Sequence, residues 1–257
     1  MNFEGLTSAL FVDSHAHLEQ VEGVEAALER AKNAGVIAVI AVAMNLDSNR
    51  KILELAGRHP GLVYPALGIH PWSVEPTELD EAFEFISGNI HSCVAVGEIG
   101  LDYWIKKDKA LQKSVFRRLL ALAAERRKPV LTHSRGSYED VYRLVKESGI
   151  EKAVFHWYSG PVEIAEQIVE SGYFVSATPA VAYSEKHRAV ISRVPLDHLL
   201  LETDCPVKYE DVVSEPASVI KTAEQVAKLK GESIETIARP TTANAFRLFG
   251  LDYLLQG

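Results

Sequence analysis

Eight short apolar runs recur along the chain, each followed by a stretch with helical spacing. They are Leu10–Asp13, Val36–Ala43, Leu62–Leu67, Cys93–Val96, Val130–Leu131, Ala153–Phe155, Tyr173–Ser176 and His198–Leu201. Rich in Val, Ile, Leu and Ala, they are too continuous for strands with one wet face. Continuous apolar strands are buried on both faces, which is the parallel-sheet pattern. The segments between them are amphipathic: in Lys109–Arg126, residues Leu111, Val115, Leu119 and Leu122 share one stripe. Asp47 and Ser48 read as caps of a helix reaching Arg58, and Pro161 opens one reaching Glu170. Pro216 opens another that ends near Gly231, and Pro240 and Thr241 precede the last, which runs to Phe249. Eight alternations predict a (β/α)₈ TIM barrel, with an open doubly wound sheet as the rival. The 257 residues suit one such domain, for which about 250 is typical. No composition shift or Pro/Gly/Ser linker divides residues 1–257, which are read as a single domain.

Composition narrows the class. A hydrophobic content of 47% is enough to build a core, so the chain is not mainly disordered. With 27 Lys+Arg against 35 Asp+Glu the net charge is −8, which argues against a protein that coats nucleic acid. An enzyme acting on nucleic acid is not excluded, because bound metal ions supply local positive charge. Cys93 and Cys205 are the only cysteines, too few for a disulfide framework or a Cys-rich zinc site. Met1–Leu10 lacks a basic segment and a long apolar core, and no run approaches a membrane span. A soluble, cytoplasmic enzyme is the expectation.

Five of the nine histidines, His15, His17, His70, His133 and His156, fall at or just past the C-terminal end of an expected strand. In a TIM barrel those ends form the catalytic face. His15 and His17 are two apart, so on a strand their rings point the same way and can share an ion. Imidazoles favour Zn²⁺, Mn²⁺ or Fe²⁺ over Mg²⁺. Asp13 is placed either to orient a ligand histidine or to turn the strand end. Glu98 follows Val94–Val96, and a carboxylate there is costly unless paired or coordinated. Its two oxygens can bridge two cations. Asp102 is open between supporting a ligand and turning the loop. Arg135, two beyond His133, can fork onto a phosphate. Asp204 ends the eighth run and can both ligate a metal and take a proton from water. Cys205 beside it reads as a packed thiol.

The segments DSHAHL, LGIHP, VGEIGLDY, KPVLTHSR, FHWYSG, LLETDCP and the closing Asn244-Ala-Phe-Arg-Leu-Phe together resemble the TatD family of metal-dependent deoxyribonucleases, in the amidohydrolase superfamily. The resemblance spans Val12 to Phe249. It implies a TIM barrel in which His15, His17, Glu98 and Asp204 hold one metal and Glu98, His133 and His156 a second. Three places depart from the family pattern. Trp157 and Tyr158 replace a Cys-Phe pair and either stack a base or pack under the loop. Arg117-Arg118 stands where a second glutamine usually follows Gln112. Val213-Ser214 replaces an Arg-Asn pair, which removes a basic residue near the mouth.

The expected activity is hydrolysis of a DNA phosphodiester, single-stranded or at an end, by two divalent ions (Zn, Mn, Mg or Fe). Glu98 and Asp204 are the catalytic carboxylates, and His70 and Arg135 contact the substrate. The alternative keeps the site and changes the bond to an ester or amide, such as an aminoacyl-tRNA ester or small cyclic ester. A non-catalytic binding protein is the third reading, and the intact ligand set argues against it. No obligate protein partner and no membrane association are expected.

Overall fold

The computed structural model describes residues 9–251; the stretch before Ala9, read above for a leader segment, lies outside them. Its central feature is an eight-stranded parallel sheet in sequence order. The strands are β1 (Phe11–Ala16), β2 (Val36–Val42), β3 (Val63–Leu67), β4 (Ala95–Gly100), β5 (Val130–His133), β6 (Ala153–Phe155), β7 (Phe174–Ala177) and β8 (Leu199–Leu201). Helices α1 (Val24–Asn33), α2 (Leu46–Arg58), α3 (Leu79–Asn89), α4 (Lys109–Glu125), α5 (Tyr138–Glu147), α6 (Val162–Glu170), α7 (Glu185–Arg193) and α8 (Val219–Lys230) surround it. This is the expected barrel, and the open-sheet rival falls away because β1 meets the end of β8. Asp204 N donates to His15 O (2.9 Å), His17 N donates to Cys205 O (2.8 Å), and Ala16 bridges Cys205 in parallel.

The strands are buried on both faces, as their apolar continuity requires. Val12, Ile40, Tyr64, Leu131, Val154 and Leu200 fill the barrel interior, and the larger cluster lies between strands and helices. A final helix, α9 (Ile234–Phe249), plugs the N-terminal end with Phe246 and Phe249. Asn244 explains part of the closing motif: its Nδ2 donates to Leu196 O and Leu199 O, both at 2.8 Å, and pins the start of β8.

Two helix starts differ from expectation. Asn45, not Asp47 or Ser48, caps α2, and Ser48 returns the bond from three residues on. The last helix begins at Ile234 behind a Ser233 cap, and Pro240 lies inside it. Thr241 Oγ donates to the carbonyls of Ile237 and Ala238, which occupies backbone acceptors beside the proline (2.8 and 3.2 Å). A small hairpin, β9 (Lys208–Tyr209) with β10 (Val212–Val213), follows β8 on the catalytic face. No helix among the described residues is long and apolar enough to cross a membrane.

Candidate metal centre

All six expected ligands meet at the C-terminal end of the barrel. The seam that closes the barrel brings three of them together: His15, His17 and Asp204 flank the hydrogen bonds between β1 and the β8 extension. Asp204 Oδ1 lies 3.5 Å from His15 Nε2 and 3.4 Å from His17 Nε2. The backbone of Asp204 is left-handed, with φ 49°. Aspartate tolerates this better than most residues, and such strain collects at functional sites.

Glu98 stands at the centre, 1% exposed. Its Oε2 faces His15 Nε2 and His17 Nε2, both at 3.3 Å. Its Oε1 faces His133 Nδ1 at 2.9 Å and both His70 Nε2 and His156 Nε2 at 3.3 Å. Gly100 makes this approach possible. With φ 147° it lets β4 run against β5 so closely that a Cβ there would stand 2.0 Å from His133 O.

Three ligand-distance groups result, each with donor atoms within 4.8 Å of one another: His15–His17–Asp204, His15–Glu98–His156 and His70–Glu98–His133. Among the described residues, His15 Nδ1 and Nε2 and His17 Nδ1 are buried with no hydrogen-bond partner. Buried polar atoms are normally satisfied, and a cation among these donors would give His15 Nε2 a partner while balancing the carboxylates that face it. The residues therefore fit a divalent metal, with imidazole and carboxylate donors suited to Zn²⁺, Mn²⁺ or Fe²⁺.

Without metal, protons fill that role. Burial opposes charge on His17, but the hydrogen bonds it donates to Asp204 and Glu98 outweigh it and raise its pKa to about 10. His156, equally buried, is pushed well up by Glu202 and Glu98, and His133 up by Asp102 and Glu98. Burial pulls His15 down, and His70 down to about 4. Burial alone would raise Glu98 and Asp204, yet the surrounding histidines hold both below the usual carboxylate range.

Behind the ligands stands a ring of carboxylates that the sequence only half disclosed. Glu202, fully buried, accepts from His156 Nδ1 (3.0 Å) and Trp157 N (2.9 Å) through Oε1. It thereby turns Nε2 of His156 toward Glu98. Its signal in the sequence is a second carboxylate two residues before Asp204, directly after the Leu-rich β8. Asp102 does both things open to it: its Oδ1 accepts from Trp104 N (2.9 Å) and turns the loop, while its Oδ2 lies 3.0 Å from Nε2 of the candidate ligand His133 and accepts from Trp72 Nε1 (2.7 Å) and Arg135 Nε (2.9 Å). Asp13 does not orient a histidine ring. A register irregularity between Asp13 and Ala16 turns it from the site. It accepts instead from Thr203 N (2.9 Å) and Thr203 Oγ1 (2.6 Å) and locks the seam.

A cavity of about 1130 Å³ opens above the ligands, lined in part by His70, Trp72, Trp104, Arg135, Trp157 and Lys186. Of the aromatic pair after His156, Tyr158 packs in the core with its hydroxyl donating to Pro161 O (3.1 Å), while Trp157 lines the cavity. Cys205 is a buried free thiol, as expected.

Comparison with known proteins decides the lineage. The sequence model of the TatD related DNases matches residues 12–250. The chain belongs to the TatD related DNase family. It is a metal-dependent hydrolase of that family. It is 34% identical to "Deoxyribonuclease TATDN3" of Homo sapiens, across 95% of this chain and 97% of that one. It is 35% identical to the "Uncharacterized metal-dependent hydrolase YabD" of Bacillus subtilis, across 95% of this chain and all of the other. The solved structure of the TatD homologue YJJV from Escherichia coli K12 superposes with a TM-score of 0.85 at 29% identity, covering 93% of this chain and 98% of its own.

Proposed function

We propose that the chain hydrolyses phosphodiester bonds in DNA with two divalent metal ions. The observation that carries this reading is the division of labour at Glu98, whose two oxygens face two different histidine sets. One ion would be held by His15, His17, Asp204 and Glu98 Oε2, the other by Glu98 Oε1, His133 and His156. Bound ions would supply an activated water at neutral pH and neutralise charge on the scissile phosphate. Asp204 is held ionised and, with its second oxygen, takes the proton from the attacking water. Glu202 and Asp102 keep His156 and His133 turned toward the ions. Arg135, with Nε and Nη2 committed to Asp102, offers Nη1 to a phosphate oxygen. His70, facing Glu98 Oε1 and lining the cavity, is the second substrate contact. DNA as substrate is supported by the deoxyribonuclease name of the human relative. We place the protein in the cytoplasm, in keeping with two reduced, buried cysteines.

The test is direct. Protein stripped with chelator and reloaded is expected to take up nearly two equivalents of metal by elemental analysis. It should then cleave labelled single- or double-stranded DNA and lose that activity again on chelation. Full activity in the stripped protein, or turnover of an ester panel with no cleavage of any DNA, would overturn the reading.

A further inference from the structure

The cavity mouth leaves aromatic surface exposed to water. Trp104, in the loop after β4, is 70% exposed, and Trp72, after β3, is 44% exposed. Large apolar rings left in water at the rim of a cavity mark a binding surface. The guanidinium of Arg135 lies over both, 5.1 Å from the ring centre of Trp72 and 5.4 Å from that of Trp104.

These side chains are also held still. Trp72 Nε1 and the Nε and Nη2 of Arg135 all reach Asp102 Oδ2, at 2.7, 2.9 and 2.8 Å. Asp102 Oδ1 accepts from Trp104 N at 2.9 Å and fixes the loop. The indole of Trp104 rests on bare backbone at Gly136, where a Cβ would come within 2.6 Å of the ring. A surface fixed in this way loses little freedom when it binds. Nη1 of Arg135 makes no bond among the described residues, and Lys186 lines the same cavity. A flat π face beside a directed cation, at the rim of a phosphodiester site, matches a nucleotide: base on the ring, phosphate on the guanidinium.

We infer that Trp104, Arg135 and Trp72 form a subsite for one unpaired nucleotide, its base stacked on Trp104 and its phosphate held by Nη1 of Arg135. The subsite rests on the DNA reading above and gives the expected single strand or end a physical basis. A base inside a duplex has both faces covered by its neighbours, so the gripped nucleotide must be single-stranded or frayed. Stacking of this kind tolerates every base, so no sequence preference follows from it.

The test combines Trp104→Ala and Trp104→Phe with short single-stranded oligodeoxynucleotides in which one abasic residue is moved along the strand. Binding is read by tryptophan fluorescence quenching in chelated protein, and cleavage in reloaded protein. On the intact strand Trp104→Ala is expected to weaken binding about 5- to 140-fold, with Trp104→Phe keeping most of it. In the wild type, an abasic residue at one particular position should cost the same factor. In Trp104→Ala that position should cost nothing further. If the two losses multiply at every position, or the alanine variant binds like wild type, the subsite is overturned while DNA cleavage stands. If reloaded wild type neither binds nor cleaves any oligonucleotide but hydrolyses esters, the DNA reading falls and takes the subsite with it. Thermal midpoints of both variants close to wild type, as expected at so exposed a position, exclude misfolding as the cause.

Discussion

Replacing Glu202 by glutamine or by alanine separates what its charge does from what its shape does. One oxygen accepts from both His156 Nδ1 and Trp157 N, while Oε2 has no partner among the described residues. Glutamine can turn its carbonyl to both donors and put its amide nitrogen where Oε2 was, away from any donor. The cost to the fold is then one buried amide group, about 1–3 kcal/mol. What disappears is the negative charge that would make His156 a strong ligand, while the carbonyl still accepts from Nδ1 and keeps its tautomer. Losing such a partner typically weakens metal affinity or activity about 10- to 100-fold. Alanine leaves His156 Nδ1 without an acceptor and Trp157 N with only its longer bond to Ser176 Oγ (3.2 Å), about 1–3 kcal/mol for the orphaned donor, and a void besides. The donor and the void together are a sizeable part of a total stability of about 5–15 kcal/mol. Glu202→Gln is therefore expected to fold and to bind metal weakly, and Glu202→Ala to melt below it. Metal titration by calorimetry and thermal unfolding of the stripped proteins read both effects. Wild-type metal affinity in Glu202→Gln, or alanine melting no lower than glutamine, would refute the role given to this carboxylate.

Five further outcomes follow from the same geometry. Asp204→Asn keeps a ligating oxygen but not the base, so it should retain its metal and thermal midpoint while turnover falls about 10²–10⁴-fold; an active but destabilised variant would make Asp204 merely a seam residue. Glu98→Gln should lose one of two metal equivalents by elemental analysis, because an amide bridges cations poorly, and full occupancy would count against the bridge. Metal binding to stripped protein at neutral pH should release protons, read by calorimetry in buffers of different ionisation enthalpy, because His17 holds its proton up to about pH 10. By the same shift, stripped protein gains stability from His17 fully below pH 6.5 and loses it as pH rises through about 10, whereas loaded protein should not; pH-independent melting of the stripped form would contradict this. With Arg135 and Lys186 as the cations lining the cavity, the dependence of DNA affinity on salt should be shallow, a log–log slope of about −1 to −3, and a slope several times steeper would point to a wider basic footprint.

The fold was legible because burial on both faces writes itself into a strand as an unbroken apolar run, and all eight runs became strands. The candidate ligands were legible for a related reason. A histidine or glutamate placed directly after such a run, as Glu98 follows Val96, has no ordinary reason to be there. Other features are set by contacts that no local pattern encodes. Asp13 keeps the two-residue spacing from His15, yet the register irregularity after it sends its carboxylate to Thr203. Pro240 is a helix breaker by chemistry and sits inside α9, where Ile237 and Ala238 before it are buried in the outer cluster and Ala245, Phe246 and Phe249 after it in the barrel floor. Trp72 and Trp104 lie in different loops and meet only through Asp102 and Arg135, so the sequence drew attention to Trp157 and Tyr158 instead.

Closure of the barrel and assembly of the site are one event. β8 is three residues long and pairs with β7; the contact with β1 is made beyond it, by Asp204 and Cys205 against His15, Ala16 and His17. The residues that close the sheet are thus the ligands of one proposed ion or their immediate neighbours. An ion held by His15, His17 and Asp204 would tie the first strand to the last, across the seam where regular pairing is shortest. This assigns Asp13 and Thr203 a definite task. Their paired bonds hold the seam in register, which keeps the three donors within 4.8 Å of one another. A site preorganised in this way spends little of its binding energy on folding the protein, which leaves that energy available to hold the ions against the protons that compete for the same histidines.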